Sequence, residues 1–112
     1  MKLEEHVKID IIKAFTEILK ARRGKGPQNI YIKQFKDEVN LISEGFLSQF
    51  EKYNIHTFGE SQVEHFEYLL QEDVVNIERA LQEKLKHKLK LTVDGLECDI
   101  HNDKMTYILR ID

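Results

Sequence analysis

The spacing of the apolar residues changes twice along the chain, and this double change constrains the fold more than any other feature. From Leu3 to about Ala21 apolar residues recur every three or four positions, which is typical of a helix with one broad buried face. From Ile30 to Ile42 they alternate with polar residues around a polar turn near Lys36–Asp37, which is typical of a β-hairpin. A helix must therefore pack against antiparallel strands.

The second half repeats this order. Apolar spacing predicts a helix from about residue 61 to 88, roughly 40 Å long at 1.5 Å per residue. Such a helix would overhang a small sheet, so either its ends pair with another subunit or it breaks near Gln71 to Asp73. Residues 96 to 109 then alternate around a turn at Asn102–Asp103, which predicts a second hairpin.

The prediction is one α+β domain over residues 1–112, a two-layer sandwich built from an internally repeated helix plus β-hairpin unit, with antiparallel strands and one long helix. The repeat halves are roughly 1–44 and 59–112, and 45–58 connects them. Without gaps, Ile32 aligns with Cys98 and Leu41 with Tyr107. Two capping boxes are predicted to start helices, and their residues are Ser48 with Glu51 and Ser61 with Glu64.

Composition and charge narrow the function class. The chain is 41% apolar and 33% charged, has one cysteine, and lacks an apolar run of the roughly 18 residues that a membrane span needs. Charged residues follow Met1 directly, so we expect a cytoplasmic protein without a secretory signal. The net charge is −3. Because residues 34–83 hold three cations and eleven anions, we expect no general binding of nucleic acid.

The stretch "ARRGKGPQN" separates the first helix from the first hairpin and is the candidate site. Cations at a helix end, a glycine after it and a proline beyond are typical of helix termination. The same residues could also hold a phosphate, a carboxylate or an acidic side chain, and the second repeat has "HKLKLTVDG" here instead. We call this segment the basic loop; its residues are Arg22, Arg23, Gly24, Lys25, Gly26 and Pro27.

No catalytic constellation can be assembled, so we expect no enzyme activity, no cofactor and no metal site. His6 with Asp10, and His65 among glutamates, are weak metal candidates without HExxH or Cys/His spacing. Cys98 is interpreted as a small buried residue. The lysine-rich segment 84–90 could contact a membrane surface, and the acidic segment 59–73 could dock a basic partner.

Three segments, "ARRGKGPQNIYI", "GFLSQFE" and "CDI", follow the pattern of a known family. Through them the chain resembles the MpsC domain family over nearly its whole length. The matching positions are Gly24, Lys25, Gly26 and Pro27 in a glycine-basic-glycine-proline loop, Gly45, Leu47, Ser48 and Glu51 in a Gly-x-Leu-Ser/Thr-x-x-Glu step, and Asp99 and Ile100 in the terminal hairpin. The long helix departs from the family pattern because Arg79 is its one arginine.

The resemblance implies a role in a sodium-linked, membrane-potential-generating system or in uptake of dissolved inorganic carbon such as bicarbonate. We expect a cytoplasmic accessory or regulatory subunit, a homodimer, that contacts membrane transport subunits through the basic loop or an exposed sheet face. A peripheral contact with the inner face of the membrane is left open. The alternative is a sensor of a small anion or a nucleotide that uses the same loop.

Overall fold

The computed structural model describes residues 2–112. Its elements are α1 (Glu5–Arg23), β1 (Asn29–Phe35), β2 (Glu38–Glu44), α2 (Gln49–Phe58), α3 (Glu60–Glu72), α4 (Val74–Leu85), β3 (Leu91–Asp99), a short 3-10 helix (Ile100–Asn102) and β4 (Lys104–Ile111). The four strands form one antiparallel sheet in the order β1-β2-β4-β3. The predicted α+β class is confirmed.

The core lies between the sheet and the helices on one of its faces. The two central strands, β2 and β4, each direct alternate side chains into it, including Leu41 and Tyr107. The Tyr107 ring meets Phe15 of α1 edge to face, with ring centroids 5.1 Å apart. Helices α1 and α4 pack against each other, and each also contacts an outer strand, so a single helical layer covers this face.

The two hairpins join through their second strands. β2 pairs with β4, and Leu41 lies directly opposite Tyr107, its counterpart in the repeat. The gap-free alignment is wrong for the outer strands. Leu41 pairs with Ile32 but Tyr107 pairs with Leu96, so Leu96 and not Cys98 corresponds to Ile32. The cause is the second turn, which has a 3-10 helix and is two residues longer than the Lys36–Asp37 turn.

The predicted long helix is divided into α3 and α4. The expectation of one continuous helix is therefore wrong, and the alternative, a break near Gln71 to Asp73, is confirmed. Asp73 has φ −87° and ψ −5°, and its N–H is shared among several carbonyls of the last turn of α3. Its carboxylate accepts hydrogen bonds from Arg22 of α1 and from Asn76 of α4. These contacts hold the junction between α3 and α4 against the end of α1.

Of the two predicted capping boxes, only the first is present. Ser48 is the N-cap of α2 and forms the box with Glu51. The second prediction is wrong because α3 begins at Glu60 after Gly59, and the Ser61 hydroxyl instead donates to the carbonyl of Phe58. Gly59 has φ 69° and ψ −144°, a conformation that favours glycine, and it makes a sharp turn between α2 and α3.

Candidate functional site

Helix α2 is unusual because none of its residues, all of which the structure describes, is buried. Three of its aromatic side chains are largely exposed: Phe50 at 72%, Tyr53 at 63% and Phe58 at 60%. Ile55 packs against the core only in part. An amphipathic helix normally buries an apolar stripe, so α2 depends more than usual on Ile55, on its contact with α3 and on the contacts of its first turn.

The first turn of α2 is fixed by the capping box and by one arginine of the basic loop. Glu51 N–H donates to Ser48 Oγ at 3.1 Å, and Ser48 N–H donates to Glu51 Oε1 at 2.7 Å. The Arg23 guanidinium donates to the same Glu51 oxygen and lies over the Phe46 ring, 5.4 Å from its centroid. Burial raises the pKa of Glu51, but the bonds from Ser48 and Arg23 outweigh it and lower the pKa overall.

The segment before α2 is bound to the turn between β3 and β4. Asp103 Oδ1 accepts the backbone N–H groups of Phe46 and Leu47 at 2.9 and 2.8 Å. The Asp103 carbonyl accepts the N–H of Gly45 at 2.8 Å. Asp103 itself has a left-handed backbone with φ 53°. The Asp103 carboxylate is therefore the hydrogen-bond acceptor for two backbone N–H groups in the segment that precedes α2.

Lys25 also contacts the segment before α2, since its Nζ donates to the carbonyl of Leu47 at 3.0 Å. Three segments far apart in sequence thus meet where α2 begins. We call this cluster the α2 junction, and its residues are Arg23, Lys25, Gly45, Phe46, Leu47, Ser48, Glu51 and Asp103. The junction contains half of the residues on which the family resemblance rests, and its contacts give them a structural role in placing α2.

The other basic-loop residues have defined places. Arg22 forms a bidentate ion pair with Asp73 at the junction between α3 and α4. Gly24 is the left-handed residue that ends α1, with φ 81° and its N–H bound to the carbonyl of Lys20. Gly26 lies so close to Lys20 that a Cβ there would sit 3.2 Å from its side chain. Pro27 leads from the loop towards β1.

The three loop cations therefore all have partners within the chain. Arg22 binds Asp73, Arg23 binds Glu51, and Lys25 binds the Leu47 carbonyl. A role of the loop in contacting an outside acidic group stays a prediction, and such a group would have to displace these partners. The helix-ending interpretation of Gly24 is confirmed.

An open cleft of about 620 Å³ lies beside the basic loop, between the end of α1 and the start of α4. Arg22 and Arg23 line one side, Glu72 and Asp73 the other, and Tyr107 lies at its base. Burial raises the pKa of Tyr107 far above its ordinary value. The mixture of two cations and two carboxylates makes this cleft a poor site for a strongly charged anion.

Helix α3 also carries large exposed side chains, since Tyr68 is 61% and Leu69 is 47% exposed. Glu64, Tyr68 and Glu72 are spaced by one turn and therefore lie in one row along the helix. Leu69 lines the cleft together with Arg23, which binds Glu51 of α2, so this arginine connects the end of α3 with the start of α2. We call this region the α2–α3 surface, and its residues are Phe50, Tyr53, Phe58, Glu64, Tyr68, Leu69 and Glu72.

The weaker candidates have other surroundings. His6 faces Glu4 at 3.2 Å, while Asp10 binds Lys88 at 2.9 Å. Burial, followed by the charge of Glu67, raises the pKa of the Cys98 thiol to about 11. Within residues 2–112 no group of three or more His, Cys, Asp or Glu residues could hold a metal ion.

The sequence indicated the acidic segment 59–73 as a possible docking site for a basic partner, but it did not indicate that the aromatic residues of α2 are exposed. Phe50 and Tyr53 were available as a signal, because residues three apart on a helix share a face. Since most apolar helical residues face a core, their exposure could be recognised only from the packing. The acidic character of α3 was visible in the sequence.

Comparisons with known proteins identify one family. The family model described as "Na+-translocating membrane potential-generating system (MpsC)" matches residues 3–110. The search of curated proteins and the search of solved structures found no match. Among residues 2–112, no helix combines the length and the apolar character needed to cross a membrane. The match spans nearly the whole fold, and we conclude that the chain belongs to the MpsC family.

Proposed function

We propose that this protein is a noncatalytic, cytoplasmic accessory or regulatory subunit of a membrane-potential-generating system, and that it acts by contact with the membrane subunits. The family supports a link to a Na+-translocating system. The transport step that it serves moves sodium ions or dissolved inorganic carbon such as bicarbonate. In this role the subunit binds the transport assembly and does not itself form the path of the ion.

The observation that carries the proposal is the exposure of three aromatic side chains on α2. Scattered apolar residues are common on protein surfaces, but aromatic side chains are enriched at the centres of protein interfaces. Of the large apolar side chains exposed within residues 2–112, most lie on α2 and α3; the full set is Ile9, Phe35, Phe50, Tyr53, Phe58, Tyr68, Leu69 and Val75. The α2–α3 surface is therefore the proposed contact with the membrane subunit.

In this proposal the basic loop has an indirect role and does not itself contact the membrane subunit. Arg23 and Lys25 hold the first turn of α2 and the segment before it, while Arg22 holds the junction between α3 and α4. The loop supports the interaction by fixing the two helices that present the aromatic residues. Replacing its cations would weaken binding indirectly, through the position or stability of α2.

An affinity purification from native membranes tests the proposal. The wild-type protein is expected to retain an ion-transport membrane subunit, and the double variant Phe50→Ser/Tyr53→Ser is expected to lose it. Phe35→Ser is the matched control, because Phe35 is 70% exposed but lies at the end of β1. Circular dichroism establishes that each variant is folded.

If the wild type retains no membrane protein, the accessory-subunit proposal is wrong. If Phe35→Ser loses the subunit and Phe50→Ser/Tyr53→Ser retains it, the contact lies on the sheet and not on α2. A triple alanine variant at Arg22, Arg23 and Lys25 shows whether the loop acts through α2. Loss of binding in a variant whose α2 remains protected from amide hydrogen exchange would instead give the loop cations a direct contact.

The anion or nucleotide sensor remains the second candidate, and one observation favours it. Arg23 Nε is buried and has no hydrogen-bond partner, although the same guanidinium binds Glu51. A small anion such as bicarbonate could accept a hydrogen bond from this atom. Titration calorimetry with bicarbonate, phosphate and a nucleotide tests this, and loss of stoichiometric binding in Lys25→Ala would be expected of a sensor.

We also propose that the protein is a homodimer, joined through the edge strand β1. The opposite edge, β3, is covered because Gln71 binds the Leu96 carbonyl while Glu78 and Gln82 accept the N–H groups of Val93 and Leu91. Within residues 2–112 no side chain makes such a bond to the backbone of residues 29–33. An uncovered edge is able to pair with a second strand.

A further inference from the structure

We infer that the α2–α3 surface recognises a cationic amphipathic helix of its partner. This inference rests on the proposed function and specifies the chemistry of the segment that is bound. It begins from the row of Glu64, Tyr68 and Glu72 along α3, in which a carboxylate lies one turn on either side of an exposed aromatic ring. Leu69 extends the apolar part of this row towards the cleft.

These two carboxylates are free to meet a partner. Within residues 2–112 neither Glu64 nor Glu72 forms an ion pair or a hydrogen bond through its side chain. Two other carboxylates of α2 and α3 are already used, since Glu51 binds Arg23 and Glu60 binds the His101 ring. Both free carboxylates belong to exposed residues. Their charge therefore acts on whatever covers the aromatic residues.

The charge balance decides among the possible occupants. Residues 49–72 hold five anions and one cation, counting histidine as neutral, and the segment keeps a net negative charge after Glu51 is paired with Arg23 of the basic loop. Anionic lipid headgroups would be repelled by this balance, because such surfaces attract segments rich in lysine and arginine. A second copy facing this surface would bring carboxylates against carboxylates. A cationic partner gains from both the carboxylates and the aromatic faces.

The shape of the surface favours a helix as the bound element. Its apolar groups lie on two consecutive helices joined by the single residue Gly59. An amphipathic helix can place an apolar stripe against such a surface and direct lysine or arginine side chains to its acidic margin. Segments that flank the cytoplasmic ends of membrane helices are enriched in these cations. The proposed partner is therefore able to supply the required chemistry.

The experiment measures binding of the full chain to a synthetic peptide by fluorescence anisotropy. The probe is a labelled amphipathic helix of leucine and lysine, about five turns long. A peptide with glutamate in place of every lysine and vesicles containing anionic lipid serve as the other ligands. We expect the cationic peptide to bind more tightly than the acidic peptide or the vesicles. Its binding should weaken as the salt concentration rises from about 50 to 500 mM.

Charge reversal tests whether the row on α3 is the site. Glu64→Lys/Glu72→Lys is expected to weaken binding of the cationic peptide by about tenfold or more and to gain binding of the acidic peptide. The matched control is Glu38→Lys/Glu97→Lys, which changes the net charge equally but lies on the sheet. Equal weakening by both variants would mean that the overall charge is responsible, and would overturn the assignment.

The outcomes separate this inference from the proposed function. If the membrane subunit is retained through Phe50 and Tyr53 while Glu64→Lys/Glu72→Lys has no effect on peptide or subunit, the cationic partner is wrong and the accessory role stands. If the cationic peptide binds as expected but no membrane subunit is retained, the surface chemistry holds and the accessory role fails. Tighter binding of anionic vesicles than of the peptide would overturn the inference.

Discussion

Gly45 shows how a single residue sets the approach to α2. It is buried, has φ +70°, and donates its N–H to the Asp103 carbonyl. A Cβ at this position would lie 2.6 Å from the Gln28 side chain. We predict that Gly45→Ala lowers the free energy of unfolding by about 1 to 3 kcal/mol, from backbone strain and crowding together. Urea denaturation followed by circular dichroism measures the change.

Gly24 provides the control for this prediction. It also has positive φ, at 81°, but nothing lies within 4 Å of an added Cβ. Gly24→Ala should therefore show only the backbone cost, about 1 kcal/mol. Gln28→Ala in the Gly45→Ala background should recover part of the additional loss. Equal costs at the two glycines would show that the contact with Gln28 has no energetic effect.

Glu51 should make stability depend on acid pH. Its folded pKa lies below the ordinary value of 4.5, so its contribution is present above pH 4.5 and is lost as the pH falls through the lowered folded pKa. We predict that Glu51→Gln costs about 1 to 2 kcal/mol at pH 7 and flattens the decline in stability below pH 4.5. Thermal unfolding from pH 7 to 3 measures both. An unchanged acid slope would show that another carboxylate is responsible.

At the scale of single residues, the sequence predicts the roles of residues whose partners are close to them in the chain. Gly24 as the end of α1 and the Ser48–Glu51 box were both predicted, because each involves residues within one helical turn. The partners of Arg22 and Arg23 were not, since Asp73 and Glu51 lie 51 and 28 positions away. Such pairs depend on how the helices pack, which no local pattern specifies.

Helix α2 should respond to the loss of its cap more than an ordinary helix does. Ser48→Ala removes the bond to the Glu51 N–H and is expected to cost about 1 kcal/mol. Because none of the residues of α2 is buried, little packing opposes fraying. We predict faster amide hydrogen exchange in residues 49–58 with little change in α1. Equal acceleration in α1 would mean that the two helices open as one unit.

At the scale of elements, the helices and hairpins were predictable from the period of the apolar residues. The division of the long helix at Asp73 could only be offered as an alternative, because the apolar spacing continues through it. The register of β3 was missed because the 3-10 helix at Ile100–Asn102 lengthens the second turn without disturbing the alternation. Alternation determines which side chains share a face, and it leaves a shift of two residues undetermined.

For the whole molecule, we predict a dimer joined through β1. We expect an added charge on β1 to dissociate it. Tyr31 donates to Glu44 at 2.6 Å on the adjacent strand, and a lysine at this position could still pair with that carboxylate. Tyr31→Lys would add a second cation beside Lys33, and charges on an edge strand oppose pairing. Sedimentation equilibrium should give a dimer for the wild type and a monomer for Tyr31→Lys. Tyr68→Lys is the control, and a wild-type monomer would refute the prediction.

The α+β class and the internal repeat were predictable for the molecule as a whole. The sequence did not predict whether the two hairpins join within one chain or between two chains. Both arrangements are compatible with the same alternation of apolar and polar residues. The structure joins them within the chain through β2 and β4. The exposure of the aromatic residues on α2 and α3 was not predictable for a related reason. A helical pattern shows that one face is apolar, and only the assembled molecule shows whether that face is covered.

The pairing of β2 with β4 also determines when this protein can fold during its synthesis. Each hairpin is local, but the bonds between the two central strands join residues 38–44 to residues 104–110. Tyr107, at the middle of the core, is synthesised 66 residues after Leu41, its partner on β2. Until then the inner edge of β2 has no partner, and the apolar face of α1 is only partly covered. The first half of the nascent chain therefore stays incompletely packed until β4 has emerged from the ribosome.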